Sequence, residues 1–275
     1  MVGGRLSRRA SGAANAVQVL IVTVVFLAPI LFMVSSSFKP GDEVTALPPV
    51  LLFRPTLHNF GTALTTLPFL RFALNSLIVA GGATIVGVGL GVPAAFAVSW
   101  NRMSWPALLM LATRMAPGAL FLLPWFVMFT AMGAVGSYWV LIVTHAAITL
   151  PLALWTMMPF FDALPRSLVE SARIDGCSDA RLLLQVALPL VGSGLAVSVI
   201  LCFVFAWNYF LFALVLSDIH SRTVIVAAFN FVGEGVTDWG ALMAAATLIA
   251  LPPVVLTFLG QKRLVAGMTA GAVKE

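Results

Sequence analysis

Six stretches of this chain are long, strongly apolar and almost without charge: residues 16–34, 72–98, 107–130, 137–161, 190–216 and 240–260. The shortest would rise about 28 Å as a helix, close to the roughly 30 Å thickness of a bilayer's hydrocarbon core. Backbone in hydrocarbon has no water to bond, and a helix satisfies its own N–H and C=O groups within one segment. The chain therefore reads as an all-α integral membrane protein with six transmembrane helices in a single domain, residues 1–275. Charged residues make up 9% of it, against roughly 25% in a soluble domain.

Arg5, Arg8 and Arg9 precede the first apolar run, an arrangement shared with secretory and twin-arginine signals. The run's nineteen residues exceed a signal's apolar region of roughly 7 to 15, which favours an uncleaved first span. A formal charge of +5 and a pI near 9.9 would suit nucleic acid. The basic residues are scattered, however, without a patch of interleaved polar contacts, so membrane lipid and not nucleic acid is the expected surrounding.

The basic residues instead set orientation. Arg5, Arg8, Arg9, Arg102, Arg166, Arg173, Arg181, Lys262, Arg263 and Lys274 fall on the side of the termini, and Lys39, Arg54, Arg71 and Arg222 on the other. Ten against four places both termini in the cytoplasm by the positive-inside rule.

Catalytic and metal signatures are missing. Cys177 and Cys202 have no metal-ligand spacing and suggest no disulfide framework. The histidines are isolated, His58 reads as solvated, and neither H-E-x-x-H nor the phosphate-cradling G-x4-G-K-(S/T) occurs. A non-catalytic subunit with no cofactor or metal of its own is expected. A secondary carrier or channel for a small polar solute is the alternative, but ion-coupled carriers place carboxylates at membrane depth, and the six stretches contain no Asp or Glu.

Several polar residues within the spans are candidates for a substrate pathway. Arg114 either lines a pathway or snorkels toward the headgroups. His145 and Thr149 share a face at i, i+4, as a polar stripe or as bonds to a neighbouring helix. Pro117 and Pro124 would break the third span, as is tolerated where a helix borders protein or a wet cavity. Trp207, Asn208 and Tyr209 combine aromatic faces with groups that need hydrogen-bond partners, on a ligand or across a helix interface. Gly87 and Gly91, four residues apart, offer a small face for close helix approach.

Between the fourth and fifth stretches the character of the chain changes. Arg166, Glu170, Arg173, Asp175, Asp179 and Arg181 put six formal charges into sixteen residues. A short helix over 165–175 follows from Pro165 in its first turn and Gly176 as its stop, with Leu164, Leu168 and Ala172 on one face and Glu170 beside Arg173 on another. Ser178 would cap a second helix that Pro189 ends. Glu170-Ser171-Ala172, three residues, Gly176, nine residues and Val186-Ala187-Leu188-Pro189 resemble the EAA loop (E-A-A-x3-G-x9-I-x-L-P) of permease subunits in bacterial ABC importers, with Ser171 and Val186 departing from it.

Further segments resemble the carbohydrate, MalG-like branch of that family: Ser35 to Pro40, Leu74-Asn75-Ser76-Leu77, and the tail from Leu264 to Lys274, similar to G-L-T-x-G-A-V-K but with Met268 for leucine. Trp207-Asn208-Tyr209-Phe210 resembles its W-N-(D/E)-(F/Y), with Tyr209 where an acid is usual. The resemblance implies a type I ABC importer permease fold in the bacterial cytoplasmic membrane. It makes residues 162–189 a coupling loop, in which Leu168, Glu170, Ser171, Ala172, Asp175 and Gly176 meet a separate ATPase. It further implies a second permease subunit, two ATPase copies carrying ATP and Mg, an extracytoplasmic binding protein or lipoprotein, and a sugar or sugar derivative moved by alternating access.

Overall fold

The computed structural model describes residues 3–115, 118–232 and 237–272, with side chains described from Asn15 to Gln261 except Ser104. The expected break at Pro117, the arginines before residue 15, Glu234 and the side chains of the tail motif lie outside what is described. Regular structure among the described residues is helical: α1 (Gly3–Ser37), α2 (Gly41–Val44), α3 (His58–Thr65), α4 (Phe69–Trp100), α5 (Ser104–Met115), α6 (Ala119–Ala131), α7 (Tyr138–Asp162), α8 (Arg166–Ile174), α9 (Asp179–Arg181), α10 (Leu188–Leu190), α11 (Gly192–Trp207), α12 (Phe210–Leu216), α13 (Val224–Ala228) and α14 (Trp239–Ala272). Four helices, α1, α4, α7 and α14, are each long and apolar enough to cross a membrane. The number rises to six if α5 with α6, and α9–α10 with α11, each count as one bent span.

The chain divides into two compact units, residues 1–67 with 228–248 and residues 68–227 with 249–275. In the first, α1 exposes every described side chain from Asn15 to Phe32, as suits a helix apolar all round in contact with lipid or another chain. Its end is held by Asn59 on α3, whose amide donates to the carbonyls of Ser37 (3.0 Å) and Lys39 (2.7 Å). Lys39 is buried, with its ammonium 5.4 Å from the ring centroids of both Phe32 and Phe53. Two aromatic faces thus partly replace the water that the cation gives up.

In the second unit α4, α7 and α11 pack against one another. The contact between α4 and α7 is as close as the Gly87 and Gly91 spacing predicts. A Cβ on Gly87 would lie 2.0 Å from Thr149 Oγ1, and one on Gly91 would lie 2.7 Å from Ala153 Cβ. That proximity lets the Thr149 hydroxyl donate to the Ala83 carbonyl at 2.9 Å. Farther along, Thr156 donates to Ser198 Oγ on α11 at 3.0 Å.

Asn75 and Ser76, the polar pair in Leu74-Asn75-Ser76-Leu77, organise the segment before α13. The Asn75 amide donates to the carbonyls of His220 (2.8 Å) and Arg222 (2.9 Å), and its oxygen accepts from Tyr138 Oη (2.7 Å). Ser76 Oγ accepts from the Val224 N–H at 2.8 Å.

Two spans are not straight rods: a break in the third is expected, although Pro124 lies inside α6 without ending it, and the division of the fifth is not expected. Residues 107–130 divide into α5 and α6, which meet at 89°. Residues 190–216 divide as well: the chain bends by 90° at Val191, and again leaves the helix at Asn208 and Tyr209 between α11 and α12. Pro189, expected to end the preceding helix, is carried through it instead. A widened π turn over Leu182–Ala187 comes immediately before α10 and relieves the crowding that a proline ring imposes on the preceding turn.

Candidate functional site

Two features of the second unit carry chemistry, and the first is the polar elbow around α8. Val169 and Ala172 are its buried residues. They pack into an apolar cluster with Phe96 and Val98 near the end of α4, and with Met157 and Phe161 near the end of α7. Leu164 and Leu168 are only half-buried at the edge of the cluster, so the anchoring face is rotated by about one residue from the expected one. Ser167, Glu170, Ser171 and Ile174 point the other way and are exposed. Ile174 is 87% exposed, an unusual position for a large aliphatic residue in so polar a segment.

The ends of α8 follow from local chemistry. Pro165 precedes the helix rather than occupying its first turn. At the other end Gly176 has φ +83°, where a Cβ would be strained. The Gly176 N–H donates to Arg173 O at 3.0 Å and the Cys177 N–H to Ala172 O at 3.0 Å, the paired closure of a Schellman turn. Asp175 caps the last turn and is exposed. Ser178 Oγ accepts from the Arg181 N–H at 3.4 Å to start α9.

Arg173 does not pair with Glu170 as expected. It donates to Asp179 Oδ1 at 2.7 Å, because the turn at Gly176 folds α9 back toward it. The guanidinium carbons of Arg173 and Arg166 also stand 5.3 and 5.7 Å from the Trp100 ring centroid. Beside them the Ser99 hydroxyl donates to Asp162 Oδ1, tying the ends of α4 and α7 together. Glu170 is left without a side-chain bond to any described residue.

The second feature is a cavity of about 570 Å³ bordered by α5, α6, α7, α11 and the turn into α12. This lies within the roughly 300–1,000 Å³ usual for small-molecule sites. Its wall is a run of aromatic rings: Phe121 and Trp125 (5.9 Å between centroids), Trp125 and Phe212 (4.9 Å), Phe212 and Tyr209 (4.7 Å). Arg114, in the last turn of α5, supplies the cavity's formal charge, with its guanidinium 5.5 Å from the Phe205 ring centroid.

The structure brings Arg114 and Tyr209 together and separates the other pathway candidates from them. Tyr209 enters the cavity because the chain is extended there, between the end of α11 and the start of α12, and its hydroxyl lies against Gly118. His145 is buried behind the wall. Its Nδ1 is 2.7 Å from Leu141 O, its Nε2 3.4 Å from Tyr209 O, and its ring meets Tyr209 edge-on. It supports the lining without being part of it. Trp207 and Asn208 lie outside the cavity: the buried Trp207 indole donates to Ile249 O at 3.1 Å, and the exposed Asn208 amide turns back to Val204 O at 2.8 Å. Reading motifs one at a time passes over Phe121, Trp125, Phe205 and Phe212, which are ordinary apolar residues until the breaks aim them at one space.

The family described as "Binding-protein-dependent transport system inner membrane component" matches residues 87–270. The trehalose/maltose transport system permease protein MalG of Thermococcus litoralis is 34% identical over 263 residues, 93% of this chain and 94% of its own. The sulfoquinovosyl glycerol transport system permease protein SmoH of Agrobacterium fabrum is 32% identical over 265 residues, 94% of this chain and 92% of its own. Among solved structures, a bacterial ABC transporter involved in import of the acidic polysaccharide alginate shares the fold with a TM-score of 0.73 at 22% identity, covering 94% of this chain and 98% of that one. With that match, those relatives and the apolar helices together, the chain belongs to the binding-protein-dependent transport system inner membrane component family, as a multi-pass permease subunit of an ABC importer.

Proposed function

We propose that this subunit carries a sugar or sugar derivative inward across the cytoplasmic membrane by alternating access, driven by ATP hydrolysis on a separate subunit. Relatives named as permeases for trehalose/maltose and for sulfoquinovosyl glycerol support the cargo class. In this reading a second permease subunit completes the pathway, two ATPase copies bind ATP and Mg, and an extracytoplasmic protein delivers cargo. A periplasmic protein holding an alginate pentasaccharide accompanies the transporter in one structure of related fold, which supports that last partner. Both termini face the cytoplasm.

The observation that carries the proposal is the two-sidedness of α8. Val169 and Ala172 fasten it to the ends of α4 and α7, while Glu170, Ser171 and Ile174 face outward, the Ser171 hydroxyl donating only back to Leu168 O at 3.0 Å. A helix built this way transmits a push. Closure of the ATPase pair against Glu170 and its neighbours displaces α8, and the buried cluster obliges α4 and α7 to follow. Leu168, Ala172, Asp175 and Gly176 keep the helix seated and end it at the right place.

The test is ATP-dependent sugar uptake by the complete transporter in proteoliposomes. Glu170→Ala and Gly176→Pro should leave insertion and ATP hydrolysis measurable while uptake falls. Unchanged uptake in both variants would remove the lever from the account.

A further inference from the structure

Resting on that reading, we propose that the cargo is an anionic carbohydrate, and that Arg114 is the residue that recognises its carboxylate, phosphate or sulfonate group. The cavity's charge balance is the starting point. Among the described residues no Asp or Glu lines it. Arg114 forms no hydrogen bond or ion pair with any described residue; the ion pair among the described residues, Arg173 with Asp179, belongs to the elbow and not to the cavity. Its position in the last turn of α5 places a cation near helix carbonyls, where the dipole favours it. That accounts for tolerance of the charge and leaves the guanidinium's five N–H donors unanswered.

The surroundings of the guanidinium suit a sugar acid better than a neutral sugar. The Phe205 ring, 5.5 Å from the guanidinium carbon, meets the group from one side and leaves N–H groups for a bidentate partner. A planar fork of N–H groups matches the oxygens of carboxylate, phosphate or sulfonate. Across the cavity, Trp125 and Tyr209 offer flat faces for the C–H surface of a sugar ring, and the Tyr209 hydroxyl can bond a ring hydroxyl. A neutral cargo would cover the aromatic wall and leave the exposed Arg114 guanidinium without an anionic partner. An anionic cargo satisfies both halves of the site.

The experiment uses the assembled transporter with its binding protein in proteoliposomes. ATP-driven uptake is measured for glucuronate, glucose 6-phosphate and an alginate oligosaccharide beside glucose, maltose and trehalose, with wild type, Arg114→Gln and Arg114→Lys. We expect uptake of an anionic member, lowered by Arg114→Gln on the order of ten- to a hundred-fold, the range of one charged hydrogen-bonding contact. Arg114→Lys should retain an intermediate rate, with the loss in KM larger than in kcat. Where Arg114→Gln does not assemble, Arg114→Lys carries the test through the same split between KM and kcat. Uptake restricted to neutral sugars, or equal anionic uptake by all three proteins, would overturn the assignment and leave the importer reading intact. ATP-driven uptake of none of the six would count against the importer reading itself.

Discussion

Adding one methyl group at Gly87 tests the packing that holds α4 against α7. The new Cβ would sit 2.0 Å from Thr149 Oγ1, 2.8 Å from Thr149 Cβ and 3.0 Å from the Leu150 backbone nitrogen. Rotating Thr149 away would relieve the first contact but break its 2.9 Å hydrogen bond to Ala83 O, a loss of about 0.5–1.5 kcal/mol. The other two contacts involve main chain and its attached carbon, so the helices must separate, with an overpacking cost of about 1–3 kcal/mol. Alanine's better helix propensity returns about 1 kcal/mol, leaving a net destabilisation of about 0.5–3.5 kcal/mol for Gly87→Ala. Gly89→Ala is the control, because nothing lies within 4 Å of its Cβ position. It should be neutral or slightly stabilising. Unfolding of the purified subunit in mixed detergent, followed by near-ultraviolet circular dichroism, measures both. Adding Thr149→Gly to Gly87→Ala moves the methyl group to the other side of the contact and should recover part of the loss. Equal midpoints for the two single alanine variants would refute the close-contact argument.

Gly176→Ala forces a Cβ into a backbone at φ +83°, costing roughly 1–2 kcal/mol locally; faster hydrogen exchange in residues 166–177 would report it, and unchanged exchange would contradict it. Trp100→Leu removes the ring beneath Arg166 and Arg173, each contact being worth about 0.5–1 kcal/mol at an exposed site. The same exchange measurement should show α8 less protected while the centre of α7 is unaffected. On the other connection, burial alone would raise the Asp218 carboxyl above its ordinary value. Donation from Ser221 N–H (2.9 Å), the Ser221 hydroxyl (3.0 Å) and His220 N–H (2.8 Å) outweighs it, and the result lies below the usual carboxylate range. A depressed value means that the carboxylate's contribution to loop order is fully present above the unfolded pKa of about 4 and is lost as pH falls through the folded value. Exchange protection of residues 217–223, corrected for intrinsic rate, should therefore hold from neutral pH down to about 5 and fall only in stronger acid. Asp218→Asn should weaken it already at neutral pH.

Much of this architecture is legible because its determinants are local. A span is announced by apolar length, the elbow by charge density, and the stop of α8 by a glycine that alone suits φ +83°. Gly87 and Gly91 likewise reveal a close helix contact through spacing, though not that Thr149 and Ala153 receive it. The cavity is harder to foresee because its wall comes from five helices, and Phe121, Trp125 and Phe212 meet only where those helices break. Trp207 shows the same limit from the other side: its indole needs an acceptor, and the one it finds is Ile249 O, 42 residues away. Arg173 had Glu170 in reach at i, i+3 and joined Asp179 instead, since the chain reverses at Gly176. Periodicity within one helix does not register such a reversal.

The central claim is that the outward face of α8 is gripped by an ATP-hydrolysing partner. The direct measurement is site-specific cross-linking from that face in the assembled transporter. A photoactivatable residue at Ile174, 87% exposed in the isolated subunit, should join the ATPase subunit in high yield. The same residue at Ile219, 65% exposed on a connection assigned to the opposite side of the membrane, should give none. Equal yields at the two positions, or none at Ile174 in a transporter that hydrolyses ATP, would contradict the account.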